Sequence, residues 1–116
     1  MLINYKFSRI FCKLLYLLKF FLFFKEFFPA GARIVKQGEI GDKFYIISGG
    51  NVRITKDADH GEEELVVLGK GQYFGEKALY DVEGQHKRHA NVTALVPVEC
   101  LTLDRTLVIR ILYFLK

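Results

Sequence analysis

Cysteine is scarce in this chain, and the shortage removes two classes at once. Cys12 sits in an apolar run and Cys100 in a predicted strand, a spacing that fits neither a zinc site nor a disulfide framework. The three histidines, His60, His86 and His89, fall in or beside polar loops and form no metal-ligand pattern, so His60 and His86 read as solvated loop residues. Long uncharged apolar runs are also missing. The most apolar window, residues 10–24, is interrupted by Lys13 and Lys19, and falls short of the roughly 18 to 20 residues that mark a membrane helix. No small-residue cleavage site follows it, since Phe27-Phe28-Pro29 precedes Ala30. A chain of 116 residues holds one domain, with no room beside it for a kinase or dehydrogenase domain, and no kinase motif is present.

What charge there is lies unevenly. Of the 17 Lys and Arg, five (Lys6, Arg9, Lys13, Lys19, Lys25) fall within residues 1–28 against Glu26 alone of the 13 acidic residues, leaving 12 of each sign for the remainder. The neutral main body argues against a nucleic-acid reader, which carries its excess charge on the folded module. Residues 1–28 also hold eight of the 11 Phe. They are expected to form a basic, phenylalanine-rich helical segment outside the core. Packing on the domain or a partner, sequence foreign to the domain, and contact with a membrane surface compete as accounts of it, with membrane contact ranked last.

From Pro29 the texture changes to short apolar runs separated by glycines, the pattern of an all-β sandwich or barrel. Strands are expected over residues 33–36, 43–48, 51–56, 65–68, 91–95 and 98–103. Within 51–56, Val52 and Ile54 alternate with Arg53 and Thr55, as in a half-buried strand. Residues 37–42 and Gly49-Gly50 read as turns, and residues 57–63 as a charged loop. Tyr73 and Phe74 read as core aromatics. Asp104 is placed to cap a final helix over residues 105–115, with Leu107, Ile109, Ile111 and Leu115 as its apolar members. The fold class is mainly β: an antiparallel β roll of jelly-roll type with a short helix after Phe74 and flanking N- and C-terminal helices.

Residues 74–92, F-G-E-K-A-L-Y-D-V-E-G-Q-H-K-R-H-A-N-V, carry parts suited to a small anion. Backbone N–H groups at Gly75 and at the start of the following helix can point at it, and Arg88 supplies a fork of donors matched to phosphate oxygens. Glu76 would repel a phosphate unless it accepts hydrogen bonds from another part of the ligand, and sugar hydroxyls are the obvious donors. The pairing suggests a phosphorylated sugar. The competing account of Glu76 and Arg88 is a surface salt bridge worth about 0 to 1 kcal/mol. Lys77 and Lys87 read as solvated. A cupin-type enzyme would need an inward cluster of His and carboxylate ligands that His86 and His89 do not provide.

Gly38, Gly41-Asp42, Phe44, Gly49-Gly50, Phe74-Gly75-Glu76, Ala78-Leu79, Arg88 and Ala90 together resemble the cyclic nucleotide-binding domain family, over residue 29 to about residue 111. Gly69-Lys70-Gly71 with F-G-E-K-A-L and R-x-A-N-V is most similar to the second cyclic nucleotide site of cGMP-dependent protein kinases. The resemblance implies a regulatory module, not an enzyme. It would bind cGMP ahead of cAMP, without a cofactor, metal or catalytic residue, and signal occupancy to a kinase catalytic domain or another effector in the cytoplasm through cassette and helix movement. It assigns ligand contacts to Gly75, Glu76, Lys77, Ala78, Arg88, His89 and Ala90, with Glu76 on the ribose 2′-OH and Arg88 on the exocyclic phosphate oxygens. The resemblance sets the domain at residues 29–116, without the later helix that caps the base. Where those kinases carry Thr after the cassette Arg this chain has His89, and Val66 aligns with a strand Arg that contacts guanine. The alternative is a structural β roll that has lost nucleotide binding and serves as a docking or membrane-attached fragment.

Overall fold

The structure is a computed structural model, described here for residues 24–79 and 86–114. Among these residues the chain forms, in order, β1 (Phe24–Phe28), β2 (Arg33–Val35), β3 (Lys43–Gly49), β4 (Asn51–Ala58), β5 (Gly61–Gly69), β6 (Tyr73–Phe74), a 3-10 helix (Glu76–Leu79), β7 (Asn91–Ala94), β8 (Val98–Asp104) and helix α1 (Arg105–Phe114). The strands pair into two antiparallel four-stranded sheets, ordered β1-β8-β3-β6 and β2-β7-β4-β5. This is the expected mainly β roll, with the expected short helix after Phe74 and a helix at the C-terminal end.

The core lies between the sheets. Tyr45, Ile47, Phe74, Val98 and Cys100 from the first sheet meet Val35, Val52, Val92 and Ala94 from the second, the interdigitation that stacked sheets require. Tyr45 is held between Phe74, stacked with ring centroids 4.9 Å apart, and Phe28, edge-on at 6.4 Å. Burial raises the Tyr45 hydroxyl to a pKa of about 12, helped by the nearby charge of Glu26. The Cys100 thiol, fully buried, is pushed up to about 11, chiefly by loss of solvent. A second apolar layer covers the outer face of the first sheet. Phe44 and Leu103 pair across β3 and β8 and are 0% and 1% exposed, and Tyr73 tilts against Phe44 at 5.5 Å. Helix α1 and the 3-10 helix pack beside this layer.

Four expectations are corrected. Residues 24–28, expected in a helical segment outside the core, are an edge strand paired with β8 from Phe24↔Thr102 to Phe28↔Val98. Aromatic side chains suit a pleated, half-buried surface. Cross-strand charges support the register, with Lys25 Nζ 3.4 Å from Glu99 and Lys43 Nζ 3.4 Å from Glu26. The rest of that segment, residues 1–23, lies outside the described residues. Second, residues 57–63 are not a loop: β4 and β5 run on to a two-residue turn at Asp59-His60, with Ala58 paired to Gly61. The ladder pairs the backbone groups of the two strands with each other, so the hairpin continues although residues 61–67 are exposed throughout. Third, Thr55, expected on the solvated face of β4, is only 3% exposed: it keeps that face, opposite Val52 and Ile54, but is paired there with the equally buried Asn91 of β7. The register with β5 shifts between Ile54 and Thr55, leaving Leu65 as an extra residue, a bulge on β5 that leaves the pairing of β4 with β7 unbroken. Fourth, Tyr73 is 52% exposed whereas Phe74 is buried, because successive strand residues face opposite sides.

The C-terminal helix starts where expected. The Thr106 N–H donates to Asp104 Oδ1 at 2.8 Å, a side-chain cap, and the Arg105 N–H donates to the Asp42 carbonyl at 2.7 Å. The second bond ties α1 to the loop between β2 and β3. Among the described residues no helix is long and apolar enough to cross a membrane.

Ile47, 1% exposed at the centre of β3, tests the inter-sheet core. Ile47→Ala is expected to lower unfolding stability by about 2 to 5 kcal/mol in urea titrations, and a loss below about 1 kcal/mol would place the core elsewhere.

Candidate functional site

Arg88 is a charged side chain only 8% exposed, and the local chain is shaped around it. Its Nη2 donates to the Lys43 carbonyl at 2.6 Å and its Nη1 to the Gly75 carbonyl at 3.3 Å. Among the described residues no carboxylate pairs with it and no acceptor other than these two carbonyls meets its side-chain donors. Loss of solvent lowers its pKa, while Tyr45, Asp42 and Glu76, in that order, pull it back up. A guanidinium stays charged even so. The site is therefore a desolvated cation with spare donors, a setting in which an anion binds strongly.

Two glycines make the seat. A Cβ on Gly41 would overlap the guanidinium itself, and one on Gly75 would meet Arg88 Nη1 and the Lys43 carbonyl, both at 2.9 Å. Gly75 also has φ +84°, a left-handed conformation that other residues adopt at a cost. The backbone of Arg88 is clamped by the loop between β2 and β3: its N–H donates to the Glu39 carbonyl at 2.8 Å, its carbonyl accepts from Gly38 N–H at 2.9 Å, and Gly41 N–H donates to the His86 carbonyl at 3.0 Å. Ile40 and Lys87 complete this short antiparallel bridge.

Arg88 opens onto a cleft of about 250 Å³. One wall is apolar, made by Val35, Ile54 and Val92 from the second sheet and Tyr73 and Phe74 from β6; the other is polar, made by Gly75, Glu76, Lys77, His86, Arg88, His89 and Ala90. Six of the seven residues expected at the site, Gly75, Glu76, Lys77, Arg88, His89 and Ala90, thus line one cleft. Ala78 lies in the 3-10 helix beside it, and its side chain is outside the described residues. Glu76 and Arg88 do not form the surface salt bridge considered above. The ion pairs among the described residues join Lys25 to Glu99, Arg33 to Glu62, Lys43 to Glu26 and Arg53 to Glu64. Among the described residues no group of three or more His, Cys, Asp or Glu is placed to hold a metal ion.

Sequence reasoning missed several cleft residues. His86, which the sequence presents as a solvated loop residue, lines the cleft, and its ring lies 5.2 Å from that of His89. Ile54 and Val92 pair across β4 and β7, a contact whose signal was present in the alternation of each strand. The Lys43 carbonyl had no signal, since a backbone acceptor leaves no trace in residue type. The seat has a direct test: Gly41→Ala is expected to displace the Arg88 guanidinium and cost about 1 to 3 kcal/mol of stability in urea unfolding, as overpacking does. A variant as stable as the parent would mean that the guanidinium is not seated there.

Comparison with known proteins places this geometry. A profile of the cyclic nucleotide-binding domain matches residues 25–112. The chain is 51% identical over 84 residues to cGMP-dependent protein kinase, isozyme 1, of Drosophila melanogaster, an alignment covering 69% of this chain and 10% of that protein. It is 39% identical over 83 residues to human cGMP-dependent protein kinase 2, covering 69% of this chain and 10% of the kinase. It thus spans about a tenth of the length of these relatives. Among solved structures, the regulatory domain of Toxoplasma gondii PKA with cAMP superposes with a TM-score of 0.66 at 37% identity, covering 73% of this chain and 32% of that one. The Thermus thermophilus catabolite activator protein superposes with a TM-score of 0.71 at 31% identity, covering 80% and 43%. The matched profile, the β roll and the glycine-seated arginine lead to one conclusion: this chain belongs to the cyclic nucleotide-binding domain family and is homologous to the regulatory domains of cyclic nucleotide-dependent kinases.

Proposed function

We propose that this domain binds a cyclic nucleotide, cGMP ahead of cAMP, and reports occupancy to an effector such as a protein kinase catalytic domain. The observation that carries the reading is Arg88, buried and seated by Gly41 and Gly75 with donors left over, at the floor of a cleft whose rim carries Glu76. In this reading the guanidinium takes the exocyclic phosphate oxygens, the amides near Gly75 and Ala78 complete the cradle, and Glu76 accepts from the ribose 2′-OH. The apolar wall of Val35, Ile54 and Val92 takes the less polar faces of ribose and base. Identity to cGMP-dependent kinases supports the order of preference. His89 at the cleft rim supplies a ring N–H to the base edge where a threonine hydroxyl would otherwise act.

Transmission follows from how the parts touch. The 3-10 helix, which carries Glu76 and Lys77, packs on β3 and on α1, and the Arg105 N–H of α1 is bonded to Asp42 in the loop that clamps Arg88. A phosphate competing for Arg88 draws on the bonds to the Gly75 and Lys43 carbonyls. Movement of the cassette then alters the support of α1. The ligand shifts this equilibrium by the difference in its affinity for the two arrangements.

Losing the guanidinium removes charge-assisted hydrogen bonds of about 1.5 to 3 kcal/mol, which corresponds to roughly tenfold or more in affinity. Titration of Arg88→Ala with fluorescent cGMP should show at least about tenfold weaker binding than the parent chain. Unchanged affinity would sink the assignment. Competition of cGMP against cAMP on the parent chain should favour cGMP; a preference for cAMP would assign selectivity to His89 and Val66 instead.

A further inference from the structure

Arg88 is positioned by a loop, and the loop is fixed by a residue outside the cleft. Asn91, 1% exposed at the start of β7, uses all of its amide. Its Oδ1 accepts the Gln37 N–H at 2.8 Å, and its Nδ2 donates to Asp57 Oδ1 at 2.9 Å and to Glu62 Oε1 at 3.2 Å. Gln37 is held a second time, because its Oε1 accepts the Asp57 N–H at 2.8 Å. Glu62 is in turn paired with Arg33 Nη2 at 2.6 Å. Three strands and one loop therefore meet on a single buried amide. The next residues of that loop are the ones that clamp the arginine: Gly38 and Glu39 bond its backbone, and Gly41 seats its guanidinium.

We propose that Asn91 is a positioning residue for the phosphate site, setting the loop at Gln37 and through it the aim of Arg88. The proposal rests on the cyclic nucleotide reading above. An amide suits this place because it is both acceptor and double donor, and its neighbours are one backbone N–H and two carboxylates. An aspartate of the same shape keeps the acceptor for Gln37 but sets a third carboxylate against Asp57 and Glu62. Like charges at hydrogen-bond distance repel, and the one at position 91, buried where the other two are exposed, bears most of the cost. Buried polar networks specify geometry only when every member is satisfied, so the expected failure is a mis-set loop and a mis-aimed guanidinium.

The test reads the aim of Arg88, not merely affinity. Two diastereomers of cyclic GMP phosphorothioate carry sulfur in place of one or the other exocyclic oxygen, so the ratio of their affinities reports which oxygen the guanidinium favours. In the full chain, Asn91→Asp is expected to weaken cGMP binding about three- to thirtyfold and to move the diastereomer ratio toward unity. Adding Asp57→Asn returns an N–H donor between positions 57 and 91, and should recover most of both. A ratio unchanged from the parent while both affinities fall together would overturn the proposal, since that is what general destabilisation does. If Asn91→Asp does not fold, Gln37→Ala, which removes the second hold on the loop from a half-buried position, is read by the same ratio with the same two outcomes. A parent chain that binds neither diastereomer nor cGMP overturns the function reading and this proposal with it. Binding by the parent with an unmoved ratio in the variants overturns the positioning role alone.

Discussion

The structure turns on a buried arginine that has no carboxylate partner among the described residues. Arg88 is held by two backbone carbonyls, those of Lys43 and Gly75, at 2.6 and 3.3 Å, inside a seat that exists because positions 41 and 75 have no side chain. An isolated buried charge is unfavourable by several kcal/mol unless its donors are met. Carbonyl partners meet part of that need and leave the rest to a ligand. A carboxylate partner would have met all of it and closed the site. That Arg88 has no ion pair among the described residues is thus what suits the cleft to an anion.

Around that centre the fold is a means of bringing distant segments together. Lys43 and Gly75 come from the first sheet and its exit, Arg88 from the approach to the second, and the loop of residues 37–42 bridges them. The inter-sheet core, with Tyr45 stacked on Phe74 directly beneath, fixes the separation of these segments. The same loop touches α1 through the Asp42 carbonyl, so the arginine, the short helix and the C-terminal helix share supports. Signalling in such an arrangement does not need a long pathway. The elements that would move are already in contact.

Much of this was legible in the sequence because its cues were local. Gly-Gly at 49–50 turns the chain where Gly50 has φ +82° and a Cβ would lie 2.5 Å from the Pro97 carbonyl, and the F-G-E run and Arg88 fell at the cleft. What escaped was set by tertiary contact. Residues 24–28 look like the end of a greasy helix, yet they become a strand because β8 offers an edge and Tyr45 offers a surface for Phe28. Thr55 keeps the outer face that its alternation predicts but is buried there beside Asn91, a cover that comes from β7 and not from its own strand. His86 looked solvated until the bridge between Ile40 and Lys87 brought it to the rim. The Lys43 carbonyl, the shortest contact to Arg88, belongs to a residue whose side chain points to a different task, the pair with Glu26.

The most direct measurement is nuclear magnetic resonance of chain labelled with ¹⁵N at the arginine Nε, with the Arg88 signal assigned by its loss in Arg88→Lys. Addition of cGMP is expected to move the Arg88 Nε–H resonance strongly, and addition of guanosine, which has the same base and ribose but no phosphate, to leave it in place. An Arg88 resonance that ignores cGMP while the domain binds it, or that responds equally to guanosine, would contradict the account of a buried cation awaiting a phosphate.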